Sequence, residues 1–310
     1  MPRLLFVHAH PDDETLTCGV TMAHHVARGD DVHVLTCTLG EEGEVIPPGL
    51  AHLEGDPDDR LGPHRHGELT RALDRIGAVR HVLGADEASG RLSRYRDSGM
   101  VGSPAAGRAE AFAAAELDVA GALVADLVRD LRADVVVTYD EHGGYGHPDH
   151  IQTHRVTRRA LELLEATDRP RRVYEILTPV EWAREDRAWL ADADPALLDT
   201  GAWWRHQELG TGAPLPPRLV VPGPDDPLPP SVVDDDLVTH TVVDEAARAV
   251  QNDALREHAT QVIVASEDVH ALSNLVAVRT TSREAFRRVD PLTWETVGAA
   301  VEAGGAGLLA

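Results

Sequence analysis

Residues 4–14 read Leu-Leu-Phe-Val-His-Ala-His-Pro-Asp-Asp-Glu, an apolar run followed by a dense group of imidazoles and carboxylates. A short apolar run of this kind is typical of a buried strand. Residues 14–28 predict a helix that ends at Gly29, and residues 31–39 predict a second strand. Strand, helix and strand within about 40 residues indicate a right-handed parallel βαβ unit.

A second polar stretch lies at residues 145–150, which read Tyr-Gly-His-Pro-Asp-His. It follows a glycine-rich loop at 143–146 and the most apolar strand pattern of the chain, Asp-Val-Val-Val-Thr-Tyr at 134–139. The carboxyl ends of parallel strands share one edge of a sheet, where ligands bind in open α/β folds. We therefore expect the first motif (residues 10–14) and the second motif (residues 145–150) to meet there.

The rest of the chain continues the alternation of helices and strands. Helices are predicted at 66–76, 109–131, 149–166 and 245–261, strands at 81–83, 173–177 and 238–243, and loops at 40–63, 84–108 and the proline-rich 211–231. These patterns predict an α/β fold, a Rossmann-like mostly parallel sheet flanked by helices with a smaller mixed C-terminal part. We predict a catalytic domain at 1–170 and an α/β region at 171–310 that completes the substrate pocket, with the last ten residues frayed.

Composition excludes several classes of protein. The 310 residues include 52 acidic and 29 basic side chains, for a net charge of −23 with no lysine, so we expect no nucleic-acid partner, no lysine Schiff base and no P-loop. Cys18 and Cys37 are too few for a disulfide framework, and we expect both to pack in the interior. Without a visible signal peptide or an apolar run of ~20 residues, the predicted protein is cytoplasmic, not bound to a membrane and without an obligate protein partner.

The two motifs together supply the ligands of a catalytic metal. A catalytic zinc takes three ligands from His, Asp and Glu and leaves one position for water. We predict that His10, Asp13 and His150 hold one zinc ion per chain, with ferrous iron as an alternative for the same ligands. Asp12 then remains free beside the metal as the general base.

The remaining residues of the motifs fit supporting roles in hydrolysis. His147 and Tyr145 can donate hydrogen bonds to a developing oxyanion, and we expect Asp149 to orient and charge-stabilise His147. We expect His8 to be a packed strand-end residue that does not bind the metal. Residues 41–44, which read Glu-Glu-Gly-Glu, are interpreted as a solvated loop rather than a second metal site.

The motifs resemble a known family. His10-Pro11-Asp12-Asp13 and His147-Pro148-Asp149-His150 are similar to the two signatures of the LmbE-like (PIG-L) zinc N-deacetylases, and residues 36–46, 96–100 and 258–261 are similar to the branch of that family that works in mycothiol biosynthesis. The resemblance implies the same three zinc ligands and the same base. It also implies that His147 stabilises the oxyanion or protonates the leaving amine, while Tyr145 polarises the carbonyl.

The resemblance also implies a substrate, an amino-sugar inositol. N-acetylglucosaminyl-inositol would be hydrolysed to glucosaminyl-inositol and acetate, with Arg65 and Asp97 binding sugar and inositol hydroxyls. Whether His147 or Asp12 protonates the leaving nitrogen stays open. One alternative within the family is mycothiol S-conjugate amidase, which carries a lysine where this chain has Thr17. Another is a different LmbE-like N-acetylglucosamine deacetylase.

Two other classes of function compete with this interpretation. Non-haem iron oxygenases use two histidines and one carboxylate, but the pattern of alternating strands and helices argues against an oxygenase barrel. A sugar-binding module with a structural zinc is the other alternative, and four protein ligands, including His8 or His147, would favour it.

Overall fold

The computed structural model describes residues 1–207, 215–298 and 307–309. The α-helices are α1 Asp13–Ala27, α2 Leu61–Ile76, α3 Leu117–Leu131, α4 Gly143–Gly146, α5 Pro148–Leu163, α6 Val180–Ala191, α7 Gly201–His206 and α8 Glu245–Leu255. The strands are β1 Arg3–His8, β2 Asp31–Thr36, β3 Val79–Val82, β4 Val135–Tyr139, β5 Arg172–Pro179, β6 Val232–Val233, β7 His240–Val243, β8 Ile263–Val264, β9 Val269–Ala271, β10 Val278–Arg279 and β11 Arg283–Val289.

Most strands belong to one central sheet. Its order is β3-β2-β1-β4-β5-β11-β7, with β6 paired to the end of β5. Strands β1 to β5 run parallel, whereas β11 is antiparallel to both β5 and β7. A small antiparallel sheet has the order β10-β9-β8. The predicted α/β fold, with a mostly parallel sheet and a smaller mixed part, is confirmed.

The strand order creates the crevice that holds the site. The chain proceeds from β1 outward to β2 and β3, then crosses to the other side of β1 with β4. The carboxyl ends of β1 and β4 therefore lie at a point where the direction of strand progression reverses, and open α/β sheets bind ligands at such points. Both motifs follow these two strands directly.

Apolar side chains cover both faces of the sheet. Leu4 and Phe6 of β1 pack on one face with α1, α2 and α8, while Leu5 and Val7 pack on the other with α3 and α5. Burial on both faces makes a parallel strand a continuous apolar run, which is the pattern that identified β1 and β4 in the sequence. Cys18 and Cys37 are buried in these two layers, as expected, and burial raises the pKa of both thiols.

A buried carboxylate joins the antiparallel end of the sheet to the middle of α1. Glu284 of β11 accepts hydrogen bonds from the backbone N–H groups of Val20 (2.9 Å) and Thr21 (2.8 Å). Burial raises the pKa of this carboxyl to about 7. Because both oxygens accept hydrogen bonds, the cost of burying this carboxylate is partly offset.

Several predicted boundaries are wrong. The helix predicted at 109–131 begins at Leu117, because 109–116 form turns that bury Phe112 against the sheet. The helix predicted at 245–261 ends at Leu255, and the one predicted to begin at 66 begins at Leu61. The segment predicted as a glycine-rich loop contains the single turn of α4.

The expected fraying is also wrong for residues 307–309. Leu308 is fully buried, its N–H donates to His25 Nε2 (3.1 Å), and its carbonyl accepts from the Tyr174 hydroxyl (2.9 Å). Residues 301–306 and 310, like 211–214 of the predicted proline-rich loop, lie outside the described residues. The domain boundary at residue 170 stays a prediction, and β5, β7 and β11 beyond it join the central sheet.

No helix among residues 1–207, 215–298 and 307–309 is both long and apolar enough to cross a membrane.

Candidate active site

A cavity of about 680 Å³ opens at the carboxyl ends of β1 and β4. The structure brings the two motifs together in its wall, which includes His10, Asp12, Asp13, Tyr145, His147 and His150. Arg65 and Asp97 line the same cavity. Of the predicted site residues, only Asp149 lies behind this wall, where its side chain contacts His10.

The turn from β1 into α1 sets the direction of the first motif. Asp12 has φ 104°, a region that residues other than glycine rarely adopt, and its carbonyl accepts from the N–H groups of Thr15 (3.0 Å) and Leu16 (2.9 Å). Asp13 Oδ2 accepts from the N–H of His10 (2.9 Å). Asp12 thereby starts α1 through its backbone, which leaves its carboxylate available to the cavity.

Asp13 connects the two predicted histidine ligands. Its Oδ2 lies 3.4 Å from His10 Nδ1 and 3.3 Å from His150 Nε2. Burial opposes ionisation of Asp13, but the His150 and His10 imidazoles hold its pKa well below its usual range. Apart from this ionic contact with Asp13, the buried His150 Nε2 makes no hydrogen bond among the described residues. A buried nitrogen without a partner, next to an ionised carboxylate, fits a metal ligand.

Two sets of donor atoms lie close enough together to bind one metal ion. In each set the atoms are within 4.8 Å of one another, and the sets are His10 with His147 and His150, and His10 with Asp97 and Asp149. His10 belongs to both sets. These distances fit a metal near His10 and leave the predicted triad of His10, Asp13 and His150 a prediction.

The carboxylate of Asp149 does not contact His147. It accepts from the backbone N–H (2.9 Å) and hydroxyl (2.5 Å) of Ser98 and lies 3.2 Å from His10 Nε2. The contact with His147 comes instead from the backbone N–H of Asp149, which donates to His147 Nδ1 (3.1 Å). Asp149 thus orients His147 through its backbone N–H, while its carboxylate contacts His10 and reaches His147 only through its charge.

That backbone contact determines which nitrogen of His147 is protonated. Since Nδ1 accepts a hydrogen bond, the neutral ring carries its proton on Nε2. Burial, followed by the His10 and His150 imidazoles, lowers the pKa of His147 to about 4, so the neutral form prevails near pH 7. The ring of Tyr145 packs edge-on to His150 with a 4.8 Å centroid distance, and its side chain is half-exposed.

The surroundings of Asp12 bring the pKa of its carboxyl close to neutral pH. Burial raises its pKa to about 7, and the Arg65 guanidinium opposes that rise. Arg65 Nη2 donates to Asp12 Oδ2 (3.1 Å) and to the Pro11 carbonyl (2.6 Å), and Nη1 donates to the Gly40 carbonyl (2.7 Å). A Cβ at Gly40 would overlap the Arg65 guanidinium, and the backbone here has a positive φ of 66°, so both observations favour glycine.

Asp97 is held by the loop that faces it. Its carboxylate accepts from the N–H groups of Gly99 (2.7 Å) and Glu42 (3.3 Å), and Oδ1 lies 3.6 Å from His10 Nε2. Although burial opposes ionisation, His10 holds the pKa of Asp97 well below its usual range. Both Arg65 and Asp97 thus have protein partners, and their contact with substrate hydroxyls stays a prediction.

The loop at 41–44 is less solvated than we expected, because residues 41–43 are partly buried and Glu44 alone is exposed. Glu41 accepts from the N–H of Asp97 (2.9 Å), and Glu42 pairs with Arg96 (3.2 Å) and Arg108 (2.6 Å). The charges bind this loop to the facing loop at 84–108, which explains why so acidic a segment folds onto the protein. His8, in contrast, is fully buried, as expected.

The sequence did not indicate several residues near the site. Ser98 holds Asp149, while Gln261 and Asn274 line the cavity from the C-terminal region. Glu14 and His258 form a buried ion pair directly behind Asp12. The first motif contains Glu14, and the similar segments 96–100 and 258–261 contain Ser98, His258 and Gln261, but the sequence pattern assigned none of these residues a role.

Comparison with known proteins adds an independent finding. Residues 5–161 match the protein family described as PIG-L: GlcNAc-PI de-N-acetylase. A Streptomyces avermitilis protein named 1D-myo-inositol 2-acetamido-2-deoxy-alpha-D-glucopyranoside deacetylase is 45% identical over 276 residues, covering 89% of this chain and 87% of its own. A Rhodococcus opacus protein of the same name is 46% identical over 278 residues, with the same coverage.

A solved structure is similar in fold. It is described as a deacetylase–bog complex in the biosynthesis pathway of teicoplanin, and it matches with a TM-score of 0.50. The match covers 93% of this chain and 99% of that one, at 16% sequence identity. At this identity the likeness concerns the fold alone.

Proposed function

Because the chain belongs to the PIG-L family of GlcNAc-PI de-N-acetylases, we propose that it removes the acetyl group from N-acetylglucosaminyl-inositol, a step of mycothiol biosynthesis. The products would be acetate and glucosaminyl-inositol. The name of the relatives specifies this substrate for them, and their similarity extends over 89% of this chain. The observation that carries the proposal is the convergence of Asp12, Asp13, His10 and His150 on one cavity.

A metal site made of His10, Asp13 and His150 is part of this proposal. Two imidazoles and one carboxylate are a common ligand set of catalytic zinc, and ferrous iron accepts the same set. The contacts of Asp13 with both histidines and the unpartnered His150 Nε2 support it. When bound, zinc supplies Lewis-acid polarisation of a carbonyl and a water of lowered pKa.

Asp12 would act as the general base. Its carboxylate faces the cavity, and a pKa of about 7 makes it available in both protonation states near neutral pH. Arg65 holds one carboxylate oxygen, so the other is free to accept a proton from the attacking water. The same carboxyl group can then return that proton to the leaving nitrogen.

His147 and Tyr145 would stabilise the oxyanion. With Nδ1 of His147 occupied, its Nε2–H is the donor that remains for a substrate oxygen. The Tyr145 hydroxyl is a second donor in the same wall. Since neutral His147 has no second proton to give, we assign protonation of the leaving amine to Asp12.

The C-terminal region would complete the substrate pocket. The part of the cavity wall contributed by residues beyond 170 consists of Ile176, Thr178, Ser231, Gln261, Leu272, Ser273 and Asn274. Gln261 and Asn274 offer amides, and Arg65 and Asp97 line the same cavity. We propose that this polar wall binds the hydroxyl groups of a small sugar–inositol substrate, in the cytoplasm and without an obligate protein partner.

One assay tests the function against its alternatives. Purified protein loaded with zinc is incubated with N-acetylglucosaminyl-inositol and, separately, with a mycothiol S-conjugate, and the released acetate and amine are measured. We expect acetate from the first substrate. An Asp12→Asn preparation purified in the same way controls for contaminating deacetylases. Amine from the conjugate without acetate from the first substrate would favour the amidase, and no product from either would favour a binding module.

A further inference from the structure

The backbone of Asp12 is held in a strained conformation that needs an external support. A φ of 104° for a residue with a side chain costs about 1–3 kcal/mol and persists only where neighbouring groups enforce it. The carbonyl of Asp12 is fixed by α1, and one carboxylate oxygen is fixed by Arg65. The remaining group is the backbone N–H, which points away from the cavity.

Glu14 supplies the support for that N–H. Glu14 Oε2 accepts from the N–H of Asp12 (3.0 Å), and Oε1 accepts from the Thr15 hydroxyl (2.6 Å). The side chain is fully buried. A buried carboxylate is costly unless a cation or several donors face it, so its position depends on what lies behind it.

His258 lies behind Glu14. Its Nε2 is 3.0 Å from Glu14 Oε1, and its ring is fully buried. Its Nδ1 has no hydrogen-bond partner among the described residues, so the contact with Glu14 is the single polar anchor of the ring apart from Thr15 (3.4 Å). To donate to the carboxylate, Nε2 must carry a proton.

The segment that carries His258 is itself fixed to the N-terminal half of the chain. Glu68 of α2 accepts from the Thr260 N–H (3.0 Å) and hydroxyl (2.6 Å), and the Thr260 carbonyl accepts from the N–H of Ile46 (3.0 Å). Gln251 of α8 also donates to the Thr15 carbonyl (2.9 Å). The turn after α8 is therefore locked against the start of α1.

We propose that the Glu14–His258 pair is a positioning unit that holds the backbone of Asp12 and thereby aims its carboxylate into the cavity. The pair does not reach the cavity, so neither residue is a catalytic residue. The proposal rests on the function proposed above, in which Asp12 is the base. It assigns to the C-terminal region a part in catalysis as well as in forming the pocket.

Three substitutions of His258 separate positioning from packing. In His258→Ala, which removes the donor, we expect kcat to fall about 10–100-fold, the usual effect of losing a residue that orients a metal-site group. Glutamine places an amide donor near the position of Nε2, whereas asparagine places one near Nδ1. We therefore expect His258→Gln to recover most of kcat and His258→Asn to recover little, with KM and zinc content close to those of the wild type.

A double-mutant cycle tests whether His258 acts through Asp12. In an Asp12→Ala background, adding His258→Ala should change the residual rate by less than about twofold, because the group that it positions is gone. His270→Ala is the matched control, since His270 is another buried histidine of the C-terminal region, bonded to Thr280 and outside the cavity wall. We expect it to leave kcat unchanged. An equal loss from His258→Ala in both backgrounds would overturn the proposal.

An NMR measurement tests without a substrate whether Glu14 and His258 hold the backbone of Asp12. In protein labelled with ¹⁵N-aspartate, the Asp12 amide resonance, assigned through Asp12→Asn, should shift in Glu14→Ala, His258→Ala and His258→Asn. It should stay near its wild-type position in His258→Gln and His270→Ala. If the wild type releases no acetate but these shifts occur, the proposed function fails and the positioning stands. An unchanged Asp12 resonance in Glu14→Ala and His258→Ala refutes the positioning.

Discussion

Two buried carboxylates contact the same helix with opposite consequences. Asp12 lies at the N-terminal end of α1 and Glu284 contacts its middle, and burial raises the pKa of each to about 7. Both oxygens of Glu284 accept hydrogen bonds from the backbone of α1. Asp12 instead keeps one oxygen on Arg65 and lies in the wall of a cavity of about 680 Å³.

The comparison shows that a raised pKa does not by itself identify a catalytic group. Desolvation produces the same shift in a structural carboxylate and in a proposed base, so the shift must be read together with access and with free lone pairs. At Asp12 a reacting water can enter, whereas at Glu284 both oxygens are occupied. Substitutions near Asp12 should therefore change activity, whereas substitutions at Glu284 should change stability.

The largest effect is expected at the metal ligands. His10→Ala or His150→Ala should lose the bound metal, and activity should fall below detection, because two remaining ligands hold zinc poorly. Metal content after gel filtration, measured by atomic emission, checks this. His24→Ala is the control, since that buried histidine pairs with Asp244 outside the cavity. Full metal occupancy in His150→Ala would remove His150 from the ligand set.

In the cavity wall, the Asp12→Ala variant should keep its metal but lose catalytic turnover. Loss of a general base costs about 10²–10⁴-fold in kcat. The thermal midpoint should fall, because the buried Arg65 guanidinium loses its carboxylate partner. Steady-state acetate release and metal content are the measurements. A kcat equal to that of the wild type would show that another group takes the proton.

A smaller effect is expected for the oxyanion donor. Tyr145→Phe removes one hydroxyl from the cavity wall and should lower kcat roughly 10²–10³-fold without abolishing it. KM should change little if the hydroxyl acts mainly in the transition state. Tyr95→Phe is a control outside the cavity wall. An effect on KM alone would make Tyr145 a binding residue.

At the middle of α1, Glu284→Gln should change the free energy of unfolding and leave kcat unaffected. The pKa of Glu284 is raised from its usual 4.5 to about 7, so the folded state binds more protons than the unfolded chain between these values. Stability therefore falls as pH rises through this window, by about 3 kcal/mol in all. In Glu284→Gln, the free energy of unfolding should lack this part of its dependence on pH.

Urea unfolding at pH 5, 6, 7 and 8 samples the pH range in which Glu284 is expected to titrate. The difference in the free energy of unfolding between wild type and Glu284→Gln measures this contribution. Glu295→Gln, at an exposed glutamate, provides the control. A difference that stays constant across the range would mean that Glu284 does not titrate there.

The central sheet and the position of the site could be predicted from the sequence. Strands buried on both faces give uninterrupted apolar runs, and β1 and β4 each lead directly into a polar motif. The antiparallel strand β11 was not predicted, because its Arg287 and Arg288 interrupt the apolar pattern. Glu175 of β5 pairs with Arg287, a contact that only the folded sheet provides.

The local contacts of the site were harder to predict. Asp149 was assigned to His147 as the carboxylate that orients a catalytic imidazole, but the turn of α5 directs its carboxylate to Ser98 and His10. The helix expected to continue to residue 261 ends at Leu255, and the turn that follows places His258 behind Glu14. Such long-range partners leave no periodic pattern in the sequence.

The separation of Glu14 and His258 has a consequence for how the protein is made. The two residues are 244 positions apart, so at ribosomal elongation rates of about 5–20 residues per second Glu14 waits on the order of 10–50 s for its partner. Both motifs emerge long before that. A nascent chain can thus acquire its predicted metal ligands early, whereas the support beneath its base forms only near the end of translation.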